Sequence, residues 1–314
     1  MQTVLIAGGA GFIGSNLTQA LLKKNYKVIC MDNLITGEKG NTDDFLDNSN
    51  YSFIEKDITG DISIGEKIDF IFHLASPASP NVKNSRSYMA FPVETLMANS
   101  LGTYNLLELA KKNNAKFLFA SSSEIYGNPE VSPQVETYVG SVSPNGPRSV
   151  YDEAKRFGES MTFAYLRKFK LDVKIVRIFN TYGPKMRADD GRVVSNFINQ
   201  ALKNEPITIY GDGKQTRSFC FVDDMVSGLE KTMFSEKTQG EVLNLGNPDE
   251  KTILEFAEII IRLTSSSSKM QFEDLPQDDP YRRKPDINKA KSLISWEPRV
   301  SLEEGIKKTI EFFK

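Results

Sequence analysis

Histidine is nearly missing from this 314-residue sequence: His73 is the single copy, and cysteine occurs only at positions 30 and 220. With no His/Cys cluster, no zinc or other metal site is expected. A hydrolase triad would have to use His73, yet that residue sits in "DFIFHLAS", an apolar run that reads as a buried strand end. His73 is therefore expected to be a core or rim imidazole, and acid–base chemistry must come from other residue types. Cys30 and Cys220 both lie in apolar runs and read as core packing in a reducing compartment. Excess charge is missing too: the formal net charge is −2, which gives no basic field for a nucleic-acid backbone. No stretch approaches the roughly 20 apolar residues of a membrane span. The first residues, "MQTVLIAGG", already read as a strand, so no signal peptide is expected. Internal repeats are lacking, and the serine run in "LTSSSSKM" is the one low-complexity patch. These absences leave a cytoplasmic enzyme or binding protein with one large or two modest domains.

What is present is an alternation. Short apolar runs at 3–9, 27–32, 51–58, 68–75, 116–122 and 172–179 end in turn chemistry. Helical patterns at 14–25, about 93–113 and 150–169 lie between several of them. Strands apolar on both faces and separated by helices predict an α/β, doubly wound (Rossmann) parallel sheet covered on both sides. Ligands of such sheets bind beyond the carboxyl ends of the strands. After about residue 180 the rhythm breaks at Pro184, Pro206 and the glycines of "YGDGKQ". A smaller mixed α/β C-terminal lobe over 180–314 is expected to follow a Rossmann domain over 1–179, with 216–246 returning to the first unit.

"LIAGGAGFIGSNL" follows the first strand and opens the first helix, placing Gly8, Gly11 and Gly14 as G-x-x-G-x-x-G. Glycines there permit a tight turn, close approach of backbone N–H groups to a pyrophosphate, and packing of helix on sheet. The phosphates then meet the positive end of the helix. Asp32 ends the second strand 18 residues after Gly14. A carboxylate there accepts from a ribose 2′-hydroxyl and repels a 2′-phosphate, which points to NAD rather than NADP. Asp57, ending the third strand, falls where it could accept an adenine amino group, or it is an ordinary turn residue.

"SVYDEAKRFGES" places Tyr151 and Lys155 four apart on one helical face. Spacing alone says little, since Tyr210 and Lys214 repeat it within a turn. A tyrosine titrates near about 10 and is a poor base at neutral pH unless a neighbouring ammonium favours the phenolate. Such a phenolate could take an alcohol proton as NAD takes the hydride, with Lys155 holding the nicotinamide ribose. "FLFASSSEIYG" ends a strand in Ser121, Ser122, Ser123 and Glu124, which form either the lip of such a site or an ordinary polar turn.

Taken in order, G-x-x-G-x-x-G, the acidic end of strand two, "SSSEIYG", Y-x-x-x-K and "RIFNTYGP" resemble the extended short-chain dehydrogenase/reductase enzymes that remodel nucleotide sugars, along essentially the whole chain. Within that superfamily, "HLASPASP", "GPRSVYDEAKR", "RIFNTYGPKM", "DGRVVSNFI", "NLGNPDEKTILEFA" and "QDDPYRRKPDINKAK" are most similar to the UDP-glucuronate decarboxylases. The resemblance implies that Gly8, Gly11, Phe12, Ile13 and Gly14 hold the pyrophosphate of NAD. It implies that Asp32, Asn33, Thr36 and Gly37 surround the adenosine ribose, Asp57 and Ile58 the adenine, and Ser76 and Thr181 the rest of the cofactor path. Tyr151 would be the base, Lys155 its modulator, and Ser122 and Ser123 the hydroxyls at C4. Asn180, Arg192, Arg217 and Arg283 would meet the UDP-glucuronate, chiefly at its uracil and diphosphate, and Glu124 and Arg283 would work at the carboxylate. Oxidation at C4 sets a ketone β to the C6 carboxylate, CO₂ leaves, C5 is protonated and the hydride returns to C4. Pairing of the 93–113 and 150–169 helices would make a homodimer.

Glu124 separates the subfamilies. Related 4,6-dehydratases usually carry Asp-Glu after their catalytic Thr, simple 4-epimerases a small residue, and Ser-Glu points to decarboxylation. Two features depart from the family pattern. Met97 stands where several decarboxylases carry Lys or Arg near the substrate, and "NVKNSRSYMAFP" (81–92) is longer than usual, with Lys83 and Arg86 as alternative cations. Arg282, Arg283 and Lys284 also read as a solvated basic run. A 4-epimerase or dehydratase of a neutral sugar nucleotide, and a non-catalytic NAD-binding regulator, are the competing readings.

Overall fold

The computed structural model describes residues 1–81, 84–274 and 282–314. The apolar runs form strands β1 (Thr3–Ala7), β2 (Lys27–Asp32), β3 (Tyr51–Glu55), β4 (Phe70–His73), β5 (Lys116–Ser122) and β6 (Val173–Ile178). Shorter strands follow: β7 (Thr181–Tyr182), β8 (Ile207–Tyr210), β9 (Thr216–Ser218), β10 (Cys220–Phe221), β11 (Val242–Leu245), β12 (Glu250–Thr252), β13 (Met270–Glu273) and β14 (Arg282–Arg283). The helices are α1 (Phe12–Lys23), α2 (Pro92–Asn99), α3 (Leu101–Asn113), α4 (Ser149–Phe169), α5 (Val193–Leu202), α6 (Val222–Phe234), α7 (Ile253–Thr264), α8 (Asn288–Ile294) and α9 (Leu302–Phe313). Among the described residues, no helix is long and apolar enough to cross a membrane.

The central sheet has the order β11-β6-β5-β4-β1-β2-β3, and every pairing in it is parallel. This is the doubly wound α/β architecture. The period of two along each strand shows why both faces are covered. Val4, Ile6, Val28, Cys30, Phe72 and Leu118 pack into one core together with Leu17 and Leu21 of α1 and Met225, Leu229 and Met233 of α6. Their neighbours Leu5, Ala7, Ile29, Met31, Ile71 and Phe119 pack into the other, with Leu106, Leu107 and Ala110 of α3 and Tyr165 of α4. Each such side chain taken from water stabilises by roughly 1.5–3 kcal/mol, which is why neither face tolerates a polar stripe. Cys30 is a buried thiol paired with the Thr18 hydroxyl at 3.0 Å, and burial pushes it up to about 12.

The expected helix over 93–113 is two helices that break at Ser100. The Ser100 hydroxyl donates back to the Leu96 carbonyl at 2.7 Å, and the Asn99 amide donates to the Thr95 carbonyl and to the Ser76 hydroxyl, each at 2.9 Å. Such side-chain bonds compete with the helical ladder. The break lets α3 settle on Ile58: a Cβ at Gly102 would come within 2.5 Å of the Ile58 side chain.

Beyond β6 the short strands form a three-stranded sheet β12-β9-β14, a β8/β13 pair and a β7/β10 pair, flanked by α5, α7, α8 and α9. A capping box starts α7, with the Thr252 hydroxyl taking the Glu255 N–H and the Glu255 carboxylate taking the Thr252 N–H. One core runs from the main sheet into these elements, through Phe197, Ile207, Phe256 and Trp296. β11 returns to the main sheet beside β6, while β9 stays with β12 and β14.

Candidate active site

All strands of the main sheet point the same way, so Gly8, Asp32, His73, Ser122 and Ile178 end on one edge. A cleft of about 700 Å³ lies there, joined to a smaller cavity of about 240 Å³. The larger size is that of a site for a molecule of cofactor scale.

The glycine turn is built from close approaches. Gly8 has φ +86°, and a Cβ on it would meet the Ala75 backbone N at 2.7 Å. A Cβ on Gly14 would lie 2.1 Å from the Gly8 carbonyl oxygen. Helix α1 begins at Gly11 with no side-chain cap and no acidic residue in its first turn. Its first N–H groups therefore face the cleft as an anion site. Phe12, Ile13 and Thr36 line the same wall. Gly14→Ala should lower stability by about 1–3 kcal/mol by forcing backbone apart. It should also weaken NAD binding at least tenfold, on the order of 1.4 kcal/mol. Thermal melts and NAD titration check both effects, and unchanged values would remove this turn from the cofactor site.

The smaller cavity is lined by Asp32, Asn33, Thr36, Gly37, Asp57 and Ile58. Asp32 is buried; its carboxylate accepts from Ala10 N at 3.0 Å and Leu34 N at 2.9 Å, and burial raises it. Gly37 is required beside it, because a Cβ there would sit 2.8 Å from Oδ1. Asp57 accepts from Asn33 Nδ2 and from Thr59 N and Oγ1, all at 2.7 Å. These bonds outweigh burial and hold its carboxyl below the usual range. Met97 also lines this cavity, whereas Tyr151 lines the larger cleft. The Met97 side chain is exposed there.

The larger cleft gathers Ser76, Ser122, Ser123, Glu124, Tyr151, Lys155, Asn180, Thr181, Arg192, Arg217 and Arg283. Of the three serines, Ser121 is structural, its hydroxyl donating to buried Glu159 at 2.6 Å. Ser122 accepts the Glu124 N–H at 3.2 Å, and its hydroxyl favours ionisation of the Tyr151 phenol. Lys155 is buried under the Phe119 ring and donates to the Ala120 carbonyl at 2.8 Å. His73 is fully buried, bonded to Thr103 at 3.0 Å and pushed down to about 3, a neutral core imidazole.

The expected acidification of the phenol by Lys155 is also corrected. Burial and the Glu124 charge push Tyr151 well above its ordinary value, against pulls from Ser122 and Arg192. Lys155 is itself pushed down to about 7 by burial.

Glu124 is buried on a short 3₁₀ turn, Ser123–Tyr126, between two guanidinium groups. Its carboxylate lies 2.9 Å from Arg148 Nη2 and 3.7 Å from Arg283 Nη1, and accepts from the Tyr88 hydroxyl at 3.2 Å. Burial raises its carboxyl, but the two arginines win and hold it low. Arg283 therefore sits at Glu124. Its basic run divides by strand alternation: Arg283 points in, while Arg282 points out to Glu250 at 2.6 Å.

Sequence reasoning missed Arg148, Tyr88 and Asp152. Arg148 caps α4 one turn ahead of Asp152, a spacing visible in "GPRSVYDEAKR". The Tyr88 ring stacks on Tyr151 with centroids 4.9 Å apart and planes 12° from parallel. Tyr88 lies in the long 81–92 segment, where Lys83 falls outside the described residues and Arg86 lines the cleft. That segment also braces the arginine wall, since Asn84 donates to the carbonyls of Asp189 and Asp190 at 2.8 and 2.9 Å. Asp190 in turn pairs with Arg192. Among the described lining residues, Arg86, Arg148, Lys155, Arg187, Arg192, Arg217 and Arg283 outnumber Glu124 and Asp190. Several of these cations are already paired, Arg187 with Glu38 and Asp189, Arg192 with Asp190, and Arg148 and Arg283 with Glu124.

A family model described as "NAD dependent epimerase/dehydratase family" matches residues 4–246. The chain belongs to that family. Among its relatives is UDP-glucuronic acid decarboxylase 1 of Danio rerio, 50% identical over 312 residues, covering 99% of this chain and 72% of that protein. UDP-glucuronic acid decarboxylase 4 of Arabidopsis thaliana is 48% identical over 311 residues, covering 99% and 68%. A solved structure of UDP-glucuronic acid 4-epimerase from Bacillus cereus, in complex with UDP-glucuronic acid and NAD, matches with a TM-score of 0.85 and 30% identity over 99% of this chain and 98% of that one. As an NAD-dependent epimerase/dehydratase family enzyme, this chain uses NAD, and its uncapped α1, glycine turn and Asp32 fit that cofactor.

Proposed function

We propose that this chain converts UDP-glucuronate to UDP-xylose and CO₂, oxidising C4, losing the C6 carboxylate and reducing C4 again within one turnover. The observation that carries the reading is Glu124, buried between Arg148 and Arg283 and close enough to Tyr151 to perturb it. A hexuronate carboxylate gains charge-assisted bonds from those guanidinium groups, and a neutral hydroxymethyl group gains none. When bound, NAD supplies the hydride acceptor for C4 and returns the hydride at the end. Tyr151, which lines the cleft with Ser122, takes the C4 hydroxyl proton and later gives it back. Arg148 and Arg283 are placed to hold the carboxylate, and CO₂ leaves when the C5–C6 bond stands perpendicular to the plane of the C4 carbonyl, so that its electrons enter the π system. Arg192 and Arg217 take the diphosphate, for which their forked donors are suited.

The deciding assay supplies UDP-glucuronate to the NAD-loaded protein and follows CO₂ and UDP-sugars by chromatography. UDP-xylose with an equal yield of CO₂ is expected. UDP-galacturonate without CO₂ would make it a 4-epimerase, turnover only of a neutral sugar nucleotide would end the carboxylate reading, and no turnover of any would leave an NAD-binding regulator.

The active form is a homodimer. Helices α2, α3 and α4 pack on one another and leave Val93, Leu96, Leu101, Tyr104 and Phe157 exposed, an apolar surface that a second copy would cover. Sedimentation should give twice the chain mass, and a monomer at micromolar concentration would refute it.

A further inference from the structure

Strand β11 is an edge of the main sheet, and Val242, Leu243 and Leu245 suit it, yet Asn244 among them is fully buried. A buried amide is costly unless its groups are bonded, and here they are. Asn244 Oδ1 accepts from the Tyr126 hydroxyl at 2.8 Å, and Nδ2 donates to the carbonyls of Gln134 at 3.0 Å and Asp286 at 3.2 Å. None of these four residues lines the cleft.

Their segments nevertheless carry two of its groups. Tyr126 closes the 3₁₀ turn that holds Glu124. Gln134, also fully buried, grips the chain just after Arg283: its N–H donates to the Lys284 carbonyl, its Oε1 accepts the Lys284 N–H, and its carbonyl accepts the Asp286 N–H, each at 2.8 Å. Arg283 does not place itself. Its Nη1 lies 3.7 Å from Glu124, beyond hydrogen-bond length, and its buried Nε has no partner among the described residues. Backbone contacts place it instead: pairing with Arg217 of β9, the Ser218 hydroxyl on its carbonyl at 3.3 Å, and the Gln134 grip on its neighbour.

We infer that Asn244 and Gln134 are positioning residues, a clamp behind the cleft that sets Arg283 against Glu124 and so governs CO₂ loss rather than C4 oxidation. This rests on the decarboxylase reading. A satisfied polar hub specifies one arrangement where apolar packing tolerates several. Ser122 and Tyr151, the groups at C4, stand on β5 and α4. Arg177, which also donates to Tyr126, ties α4 independently through Glu159.

Two variants test the clamp. Tyr126→Phe removes one hydroxyl and leaves the ring beside Tyr138 and Arg177, so it keeps the fold, whereas Asn244→Ala removes the hub. In the NAD-loaded enzyme, kcat for CO₂ should fall about tenfold in the first and about 10²-fold in the second, the cost of a displacement of about 1 Å. KM should stay within about threefold, half a decade of affinity, since Arg192 and Arg217 are retained. Bound NADH should build up ahead of CO₂. The double variant should be no slower than Asn244→Ala, because both changes cut one clamp. Equal slowing of NADH formation and CO₂ release, or wild-type kcat in Tyr126→Phe, overturns the inference. Crystal structures of the variants test the clamp without substrate. The separation of Glu124 and Arg283 should depart from 3.7 Å, and an unchanged separation overturns the inference as well. Wild-type protein that forms neither NADH nor CO₂ from UDP-glucuronate would fault the substrate reading, and the variant structures would then judge the clamp by themselves.

Discussion

Tyr151→Phe should lower turnover of UDP-glucuronate by about 10²–10⁴-fold, the range for loss of a positioned acid–base group. NAD should remain bound. The variant removes one oxygen and little else. The ring is buried, stacked on Tyr88 and placed on the long helix α4, so phenylalanine occupies the same space. What disappears is the hydroxyl that can accept the C4 proton. No other described group replaces it. Lys155 Nζ is committed to the Ala120 carbonyl, and His73 is sealed in the core. Burial and the Glu124 charge oppose ionisation of the phenol, and Ser122 and Arg192 favour it. Product chromatography and the NAD content of the purified variant check the result. A variant retaining a tenth of wild-type turnover would remove Tyr151 from the role of base.

The main sheet was legible because its signal is local. Residues 3–7, 27–32 and 116–122 are continuous apolar runs, and a strand buried on both faces needs nothing more. Gly14 was legible for the same reason, since its need arises against Gly8, six residues away. The helix break at Ser100 was not. It depends on Asn99 reaching Ser76 and on α3 settling against Ile58, contacts far apart in sequence. The site divides the same way. The Tyr151/Lys155 pairing and Ser122 were readable, but the sign of the phenol shift was not, because it is set by Glu124 across the cleft and by the degree of burial. Arg283 could be separated from Arg282 only once the segment was seen as a strand, where alternate residues face opposite ways. Tyr88 and Asp152 gave no signal of their own, since each matters through a neighbour.

Glu124→Gln should separate the two halves of the reaction. Decarboxylation and C5 protonation should slow by about 10²–10³-fold, as expected for removal of an acid–base group. C4 oxidation should proceed at the wild-type rate or faster, because the Glu124 charge is one of the forces that keeps the Tyr151 proton on. NADH absorbance should therefore rise in a burst while CO₂ release lags. Stability has an opposing pair of effects. Removing one partner of a buried ion pair costs about 3–5 kcal/mol when the other charge is stranded. Here Arg148 has a further partner, and Asp152, which burial and the Glu124 charge push up, interacts with both arginines. With that charge gone, Asp152 ionises at a lower pH and takes over the arginines, so the loss should be well below that range and should grow as pH falls and Asp152 is protonated again. Thermal melts between acid and neutral pH read this directly. A melting point that drops fully at neutral pH, or equal slowing of NADH formation and CO₂ release, would show that Glu124 and Asp152 do not share their charge.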